Sequence, residues 1–310
     1  MMHEKHLIIG ANGPIGMALY DGLKKMGKEV IRFGRSNKHE VDYIKGDALN
    51  QTDIKSAVKG ITHIYITIGL KYHHRIWQKE WPLIIDNIIN AAKETKAKLI
   101  FFDNIYIYGP TLSVPITEEH EINPVSKKGK VRKTLYLKLL EAQNKLDVLI
   151  VRAPDFFGPG AQASMIHSAF LENMIKGKIP LFLGKKDKKH AYGYTKDLAK
   201  ATIKLAFDED TYNQVWHLPC YQTETIYQIL SAYNHALQKT YNLRVIGKKA
   251  HYLLALMIPL LRELYEMRYQ FESDYVLNFD KFMRKYPDFV QTSFEEAIKE
   301  TVQFFVKNNT

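Results

Sequence analysis

The first half of the chain alternates short, β-branched apolar runs with stretches in which apolar residues recur every three or four positions. HLIIG (6–10), EVIRF (29–33) and THIYITIG (62–69) predict strands, and the segment from Gly10 through Met26 predicts a helix between the first two. A helical pattern runs from about Tyr72 to Thr95, and Pro82 is expected to break it because proline lacks the N–H that a helix interior needs. KLIFFD (98–103) is the next strand, and GPTLSVPITEEHEINP (109–124) is a loop by its Pro, Thr and Asn content. A helix from about Ser126 to Lys145 then leads to the strand DVLIVRAP (147–154) and the turn FFGPG (156–160).

This βαβ succession predicts an α/β protein with a Rossmann-type, doubly wound parallel sheet. Residues 1–160 form the dinucleotide-binding part in this reading, with later segments completing the sheet. Residues 161–310 form a smaller, mainly helical lobe packed on it for the substrate. In that lobe PLFL (180–183) and VWHL (215–218) predict isolated short strands, and 195–207 and 292–306 predict helices.

Composition narrows the setting. The 310 residues carry a formal charge of +11 and one cysteine, Cys220, which excludes an intramolecular disulfide. MMHEKHLIIG lacks the order of a secretory signal, and the longest apolar run, LLALMIPLL (253–261), is far short of the ~20 residues that cross a bilayer. A cytoplasmic protein is expected. The positive charge suits phosphate-bearing ligands, nucleic acid or an anionic membrane, but a solvated lysine-rich surface is the simpler reading. GKKDKKH (184–190) has no stacking platform beside it, so no nucleic-acid partner is expected, and no membrane partner either.

Chemistry concentrates where strands end. IIGANGPIG places Gly10, Gly13 and Gly16 between a strand and a helix, where backbone N–H groups can face a pyrophosphate that any Cβ would obstruct. After the second strand, IRFGRSNK offers Arg32, Arg35, Ser36 and Lys38 with no acid before Glu40. That pattern favours NADP over NAD, with Arg35 and Ser36 as contacts to the 2′-phosphate, although NAD is not excluded. In FFDNIYIYGP (101–110), Asp103 is expected to cap the following turn, and Asn104 to face the ligand crevice with Tyr106 or Tyr108.

GANGPIG, KGDALN, DNIYIYGP, VRAPDFFGPG and YTKDLAKA together resemble the short-chain dehydrogenase/reductase superfamily, in its extended and atypical branches of NAD(P)-dependent epimerase/dehydratase-like proteins. The resemblance spans nearly the whole chain. It implies a cofactor cradle of Gly10, Asn12, Gly13, Pro14, Ile15, Gly16, Asp47, Ala48, Thr67, Arg132 and Pro154, with Asp47 near adenine, and it allows a homodimer. It also exposes a departure. Where active extended members carry a Ser or Thr four residues before the Tyr of a Tyr-Gly pair, this chain has Asn104, and where they carry Tyr-x-x-x-Lys it has Lys128 and Arg132.

Lys128 and Arg132 lie four apart on a predicted helix and so share a face. They are expected to join Asn104 and Tyr106 as the reacting groups: Arg132 holding the ribose or polarising the site, Asn104 bonding the substrate oxygen, and Lys128 or Tyr106 donating the proton. Tyr192 and Lys196 repeat the Tyr-x-x-x-Lys spacing outside that register and read as coincidence. Trp77 and Trp81 read as a packing stripe. His73 and His74 could face the substrate, but adjacent helical residues diverge too far to make a metal site. The expected function is an NADP(H)-dependent oxidoreductase or epimerase acting on a small molecule; the alternative is an inactive NADP-binding sensor or scaffold.

Overall fold

The computed structural model describes residues 4–36, 40–111, 114–222 and 224–308. They form two compact units that interleave along the sequence: Met1–Ile107, Lys127–Arg152 and Ala199–Trp216 in the first, and Tyr108–Ser126, Ala153–Leu198 and His217–Thr310 in the second. The sequence reading drew one boundary near residue 160. Interleaving arises because a late strand returns to finish the first unit's sheet.

That unit comprises β1 (Lys5–Ile9), α1 (Pro14–Lys25), β2 (Glu29–Gly34), β3 (Tyr43–Lys45), α2 (Gln51–Ala57), β4 (His63–Ile66), α3 (His74–Thr95), β5 (Lys98–Asn104), α4 (Lys127–Ala142) and β6 (Val148–Ala153). After α5 (Thr195–Ala206) the strand β7 (Gln214–His217) closes the edge. The seven strands lie in the order β7-β6-β5-β4-β1-β2-β3. β1 pairs in parallel with β2 and β4, as do β2 with β3 and β4 with β5, so these strands all end at one edge. VWHL is therefore no isolated strand.

Parallel strands covered on both faces should be apolar along their whole length. β4 and β6 are buried throughout. Leu7, Ile9, Ile64, Ile66, Leu99, Phe101, Val148 and Ile150 point alternately to one face, where they meet Trp81, Ile85, Ile88, Val131, Leu135 and Leu139 from α3 and α4 in one core.

α3 runs unbroken through Pro82, contrary to the expected break. The carbonyl that Pro82 cannot serve belongs to Gln78, which is exposed to water. Trp77, Trp81, Ile84, Ile85 and Ile88 of the same helix are buried, and their burial outweighs one lost hydrogen bond.

The second unit has its own core of Phe157, Phe170, Leu171, Phe182, Ile229 and Val302 with their neighbours. Its helices include Ile226–Leu237, Lys248–Met257, Pro259–Tyr265 and Phe294–Asn308. Among the described residues no helix is long and apolar enough to cross a membrane.

Candidate functional site

The three glycines at the end of β1 do different work. Gly10 has φ +96°, and a Cβ there would lie 2.7 Å from Ile68 N; a Cβ on Gly16 would lie 2.5 Å from the Gly10 carbonyl oxygen. Chain packing alone demands glycine at both positions. Gly13 is the exception, since its Cβ would meet nothing nearer than 3.4 Å. It is the N-cap of α1 with an extended backbone, and no side chain caps the helix. Pro14 at the first helical position gives up one N–H, leaving those of Ile15 and Gly16 in the first turn, so an anion here meets fewer donors but the same helix dipole.

Asn12 ties this turn to the end of β2. Its Nδ2 donates to Ser36 Oγ at 3.0 Å and to Tyr43 OH at 3.2 Å. Arg35 and Ser36 are exposed beside it. Arg32 is committed elsewhere: it pairs with Glu40 and Asp42 and stacks on the Tyr20 ring at 4.4 Å. Lys38 lies outside the described residues.

Asp47 Oδ1 accepts from Leu49 N at 3.0 Å, and Asp53 Oδ2 accepts from Asp47 N at 2.8 Å. Asn87 Nδ2 donates to the carbonyls of Ala48 and Leu49 at 3.0 and 3.1 Å, which fixes this turn to α3. Thr67 donates through both N and Oγ1 to the Ile9 carbonyl, at 2.9 and 3.2 Å, and so joins the ends of β4 and β1. Pro154 belongs to the second unit.

At the end of β5 the expected roles of Asp103 and Asn104 separate. Asn104, not Asp103, caps the turn: its Oδ1 accepts from Tyr106 N at 3.1 Å, holding the single 3-10 turn Ile105–Ile107. Asp103 points inward, because it follows Leu99 and Phe101 at period two and shares their buried face. Arg152 follows Val148 and Ile150 on β6 by the same rule. Asp103 Oδ2 lies 3.4 Å from Arg152 Nε, and Oδ1 lies 3.5 Å from Arg132 Nη1. One buried carboxylate thus serves two buried guanidinium groups.

Arg132 does not reach toward solvent as the sequence reading expected of a ribose contact. It is 5% exposed, with its guanidinium 4.4 Å from the Trp81 ring centre, 4.8 Å from Trp77 and 5.7 Å from Phe101. Burial lowers its pKa, and the Asp103 carboxylate works against that shift. Lys128 is also fully buried, with Nζ 4.5 Å from the centre of the Tyr72 ring. The two cations do share a helix face, and that face turns toward the aromatic side chains of α3 and the segment before it.

Tyr72 OH donates to Tyr106 OH at 3.4 Å, and the Tyr106 ring stacks on Trp77 at 6.2 Å. Tyr106 and Lys128 therefore meet at Tyr72, a residue the sequence reading missed, and Asn104 is tied to Tyr106 through the turn. Tyr108 falls in the second unit, 1% exposed, its hydroxyl 2.5 Å from His217 Nε2. Tyr192 is buried in a strand, while Lys196 is exposed and paired with Glu300, so the two form no catalytic pair. His73 Nδ1 accepts from Arg75 N and caps α3.

A family model described as the NAD dependent epimerase/dehydratase family matches residues 6–216. The uncharacterized protein y4nG of Sinorhizobium fredii is 24% identical over 210 residues, which cover 64% of this chain and 52% of that protein. The chain thus spans about half the length of that relative. Among solved structures, the UDP-glucuronic acid 4-epimerase of Bacillus cereus, in complex with UDP-glucuronic acid and NAD, aligns with a TM-score of 0.80 at 16% identity over 99% of this chain and 100% of that one. The enzyme WbmH of Bordetella bronchiseptica, in complex with NAD+, aligns at 0.79 and 15% over the same shares.

Proposed function

The chain belongs to the NAD dependent epimerase/dehydratase family, and we propose that it is an NADP(H)-using oxidoreductase or epimerase of a small molecule with a substituted catalytic set. One observation carries the cofactor part. Gly10 and Gly16 are explained by packing, whereas at Gly13, an uncapped helix start, a Cβ would meet only ordinary van der Waals contacts, at 3.4 Å or more. A backbone left bare where the protein does not require it is what close approach of a pyrophosphate needs.

In this reading Gly10, Asn12, Gly13, Pro14, Ile15 and Gly16 cradle the pyrophosphate, and Asp47, Ala48 and Thr67 line the path of the adenosine. Arg35 and Ser36 take the 2′-phosphate, with Ser36 held by Asn12. When bound, a nicotinamide supplies hydride exchange with a carbon bearing a hydroxyl or carbonyl. The Asn104 amide donates to the substrate oxygen while its own carbonyl oxygen fixes the turn. Tyr106 moves the proton, with Tyr72 as its hydroxyl neighbour and the Lys128 ammonium against the Tyr72 ring. Arg132 and Asp103 act as positioning residues beneath them. Nucleotide sugars are the first substrates to try, given the UDP-glucuronic acid bound by the Bacillus cereus neighbour.

Arg132's burial supports a second reading, a cofactor-binding protein without turnover, since the group in the family's lysine position is not presented to a ligand. Gly13→Ala tests the cradle: it should leave the fold intact and raise the NADPH dissociation constant at least about tenfold in a fluorescence titration, by displacing charge-assisted bonds to phosphate. An unchanged constant would remove the cradle. Tight NADPH binding with no conversion of UDP-sugars or of a carbonyl panel would leave the sensor standing.

A further inference from the structure

Residues 239–262, KTYNLRVIGKKAHYLLALMIPLLR, contain five cations and no acid. Within them the helices Lys248–Met257 and Pro259–Tyr265 form a bent pair joined at Ile258. The pair is held by its own bonds. Arg262 donates from Nε and Nη2 to the carbonyls of Ala255 and Leu256, both at 3.1 Å, satisfying acceptors that a helix end leaves open. His251 Nε2 meets the Leu261 carbonyl at 2.9 Å.

The apolar residues of this bend face outward. Leu253 is 62% exposed, Leu256 58% and Met257 83%, and Leu254, Ile258 and Leu260 are exposed too. His251, Ala255 and Glu263 form the buried side. Leu253, Leu256 and Met257 form an apolar stripe at i, i+3 and i+4, which suits a partner helix and a membrane surface alike. Ile258 and Leu260 carry that exposure around the bend, and the charge beside it decides between the two. Exposed Lys239, Arg244, Lys248 and Lys249 lie in the same acid-free run. An apolar tip accompanied by cations matches the two layers of an anionic bilayer surface, acyl chains below and phosphate headgroups above.

We propose that this bend is an interfacial membrane anchor which docks the protein on an anionic lipid surface, without spanning it. The anchor lies wholly in the second unit and does not depend on the cofactor reading. Attraction comes from Lys248 and Lys249, retention from Leu253, Leu256 and Met257.

The full chain is tested by co-sedimentation with vesicles of phosphatidylcholine alone and of phosphatidylcholine with phosphatidylglycerol in equal parts. Binding should require phosphatidylglycerol and weaken with added salt. Lys248→Glu with Lys249→Glu should lower the vesicle partition coefficient about thirtyfold or more, taking each lost cation at its usual value near an anionic surface. Met257→Ser with Leu256→Ser should abolish retention at moderate salt. Because all four side chains are exposed, the variants should keep the wild-type far-UV spectrum and melting curve. Failure of the wild-type chain to sediment with either vesicle overturns the anchor. So does a concentration-dependent dimer, seen by light scattering, that Met257→Ser dissociates, because the bend would then be covered by a second copy.

Discussion

The two edges of one sheet bury titratable side chains in opposite ways. At the amino edge His6 of β1 and His63 of β4 stack with ring centres 4.8 Å apart, against Tyr65 and Phe207. Burial is the larger cause in both, with the charge of His63 adding for His6 and that of Lys98 for His63, and together they push each imidazole down to about 4. The carboxyl edge buries the guanidinium groups of Arg132 and Arg152 beside Asp103. An imidazole enters a core by releasing its proton near neutrality, but a guanidinium cannot release its own. Charge at the carboxyl edge therefore has to be compensated on site, by one carboxylate and the faces of Trp77, Trp81 and Phe101. That expense falls directly beneath the turn carrying Asn104 and Tyr106, which supports a positioning role for Arg132.

The contrast breaks most sharply at Asp103. Asp103→Asn removes the carboxylate charge that both buried guanidinium groups face and should destabilise the first unit by about 3–5 kcal/mol. Urea unfolding followed by tryptophan fluorescence would measure it, and a loss below about 1 kcal/mol would mean that solvent already reaches the cluster.

The histidine edge should respond to pH instead. Because both folded values lie below the ordinary 6.5, the unfolded chain binds more protons between pH 6.5 and 4. Stability from this pair is complete above pH 6.5 and is lost as pH falls toward 4, by on the order of 3 kcal/mol for each ring taken singly. Unfolding free energy against pH for wild type and His63→Phe measures the difference, and the variant's curve should be flatter.

Arg132→Met sharpens the comparison on a smaller scale. Asp103 keeps Arg152, so the loss should be about 2 kcal/mol, near the value of the desolvated cation–π contacts, and well short of the Asp103→Asn effect. Equal losses in the two variants would show that the aromatic faces, not the carboxylate, hold the cation. Smallest is Arg35→Ala at the exposed rim. It should leave stability unchanged and weaken NADPH about tenfold, with little change for NADH, in paired fluorescence titrations.

Much of the fold was written in local pattern. Alternation of β-branched runs with helical periodicity identified β1, β2, β4, β5 and β6 with α1, α3 and α4, but not β3 or α2, which lie in a polar stretch. The period-two rule could also have located the site's foundation, since Leu99, Phe101 and Asp103 alternate on β5 as Val148, Ile150 and Arg152 do on β6. Adjacency to a turn suggests Asp103 as its cap, yet Asn104 lies one residue closer to it. Pro82 misled in the other direction, since its penalty depends on which face of α3 carries the bare carbonyl.

By itself the sequence determined the type and order of β1, β2, β4, β5 and β6 and of α1, α3 and α4, the glycine turn, and the shared face of Lys128 and Arg132, because each follows from side-chain spacing over a few residues. Tertiary structure alone decided what that face meets. Whether a cation is offered to a ligand or enclosed by two tryptophans and a carboxylate depends on residues brought together from β5, β6, α3 and α4. It also decided that residues 214–217 complete the sheet rather than stand apart, since strand pairing joins segments that no local pattern connects.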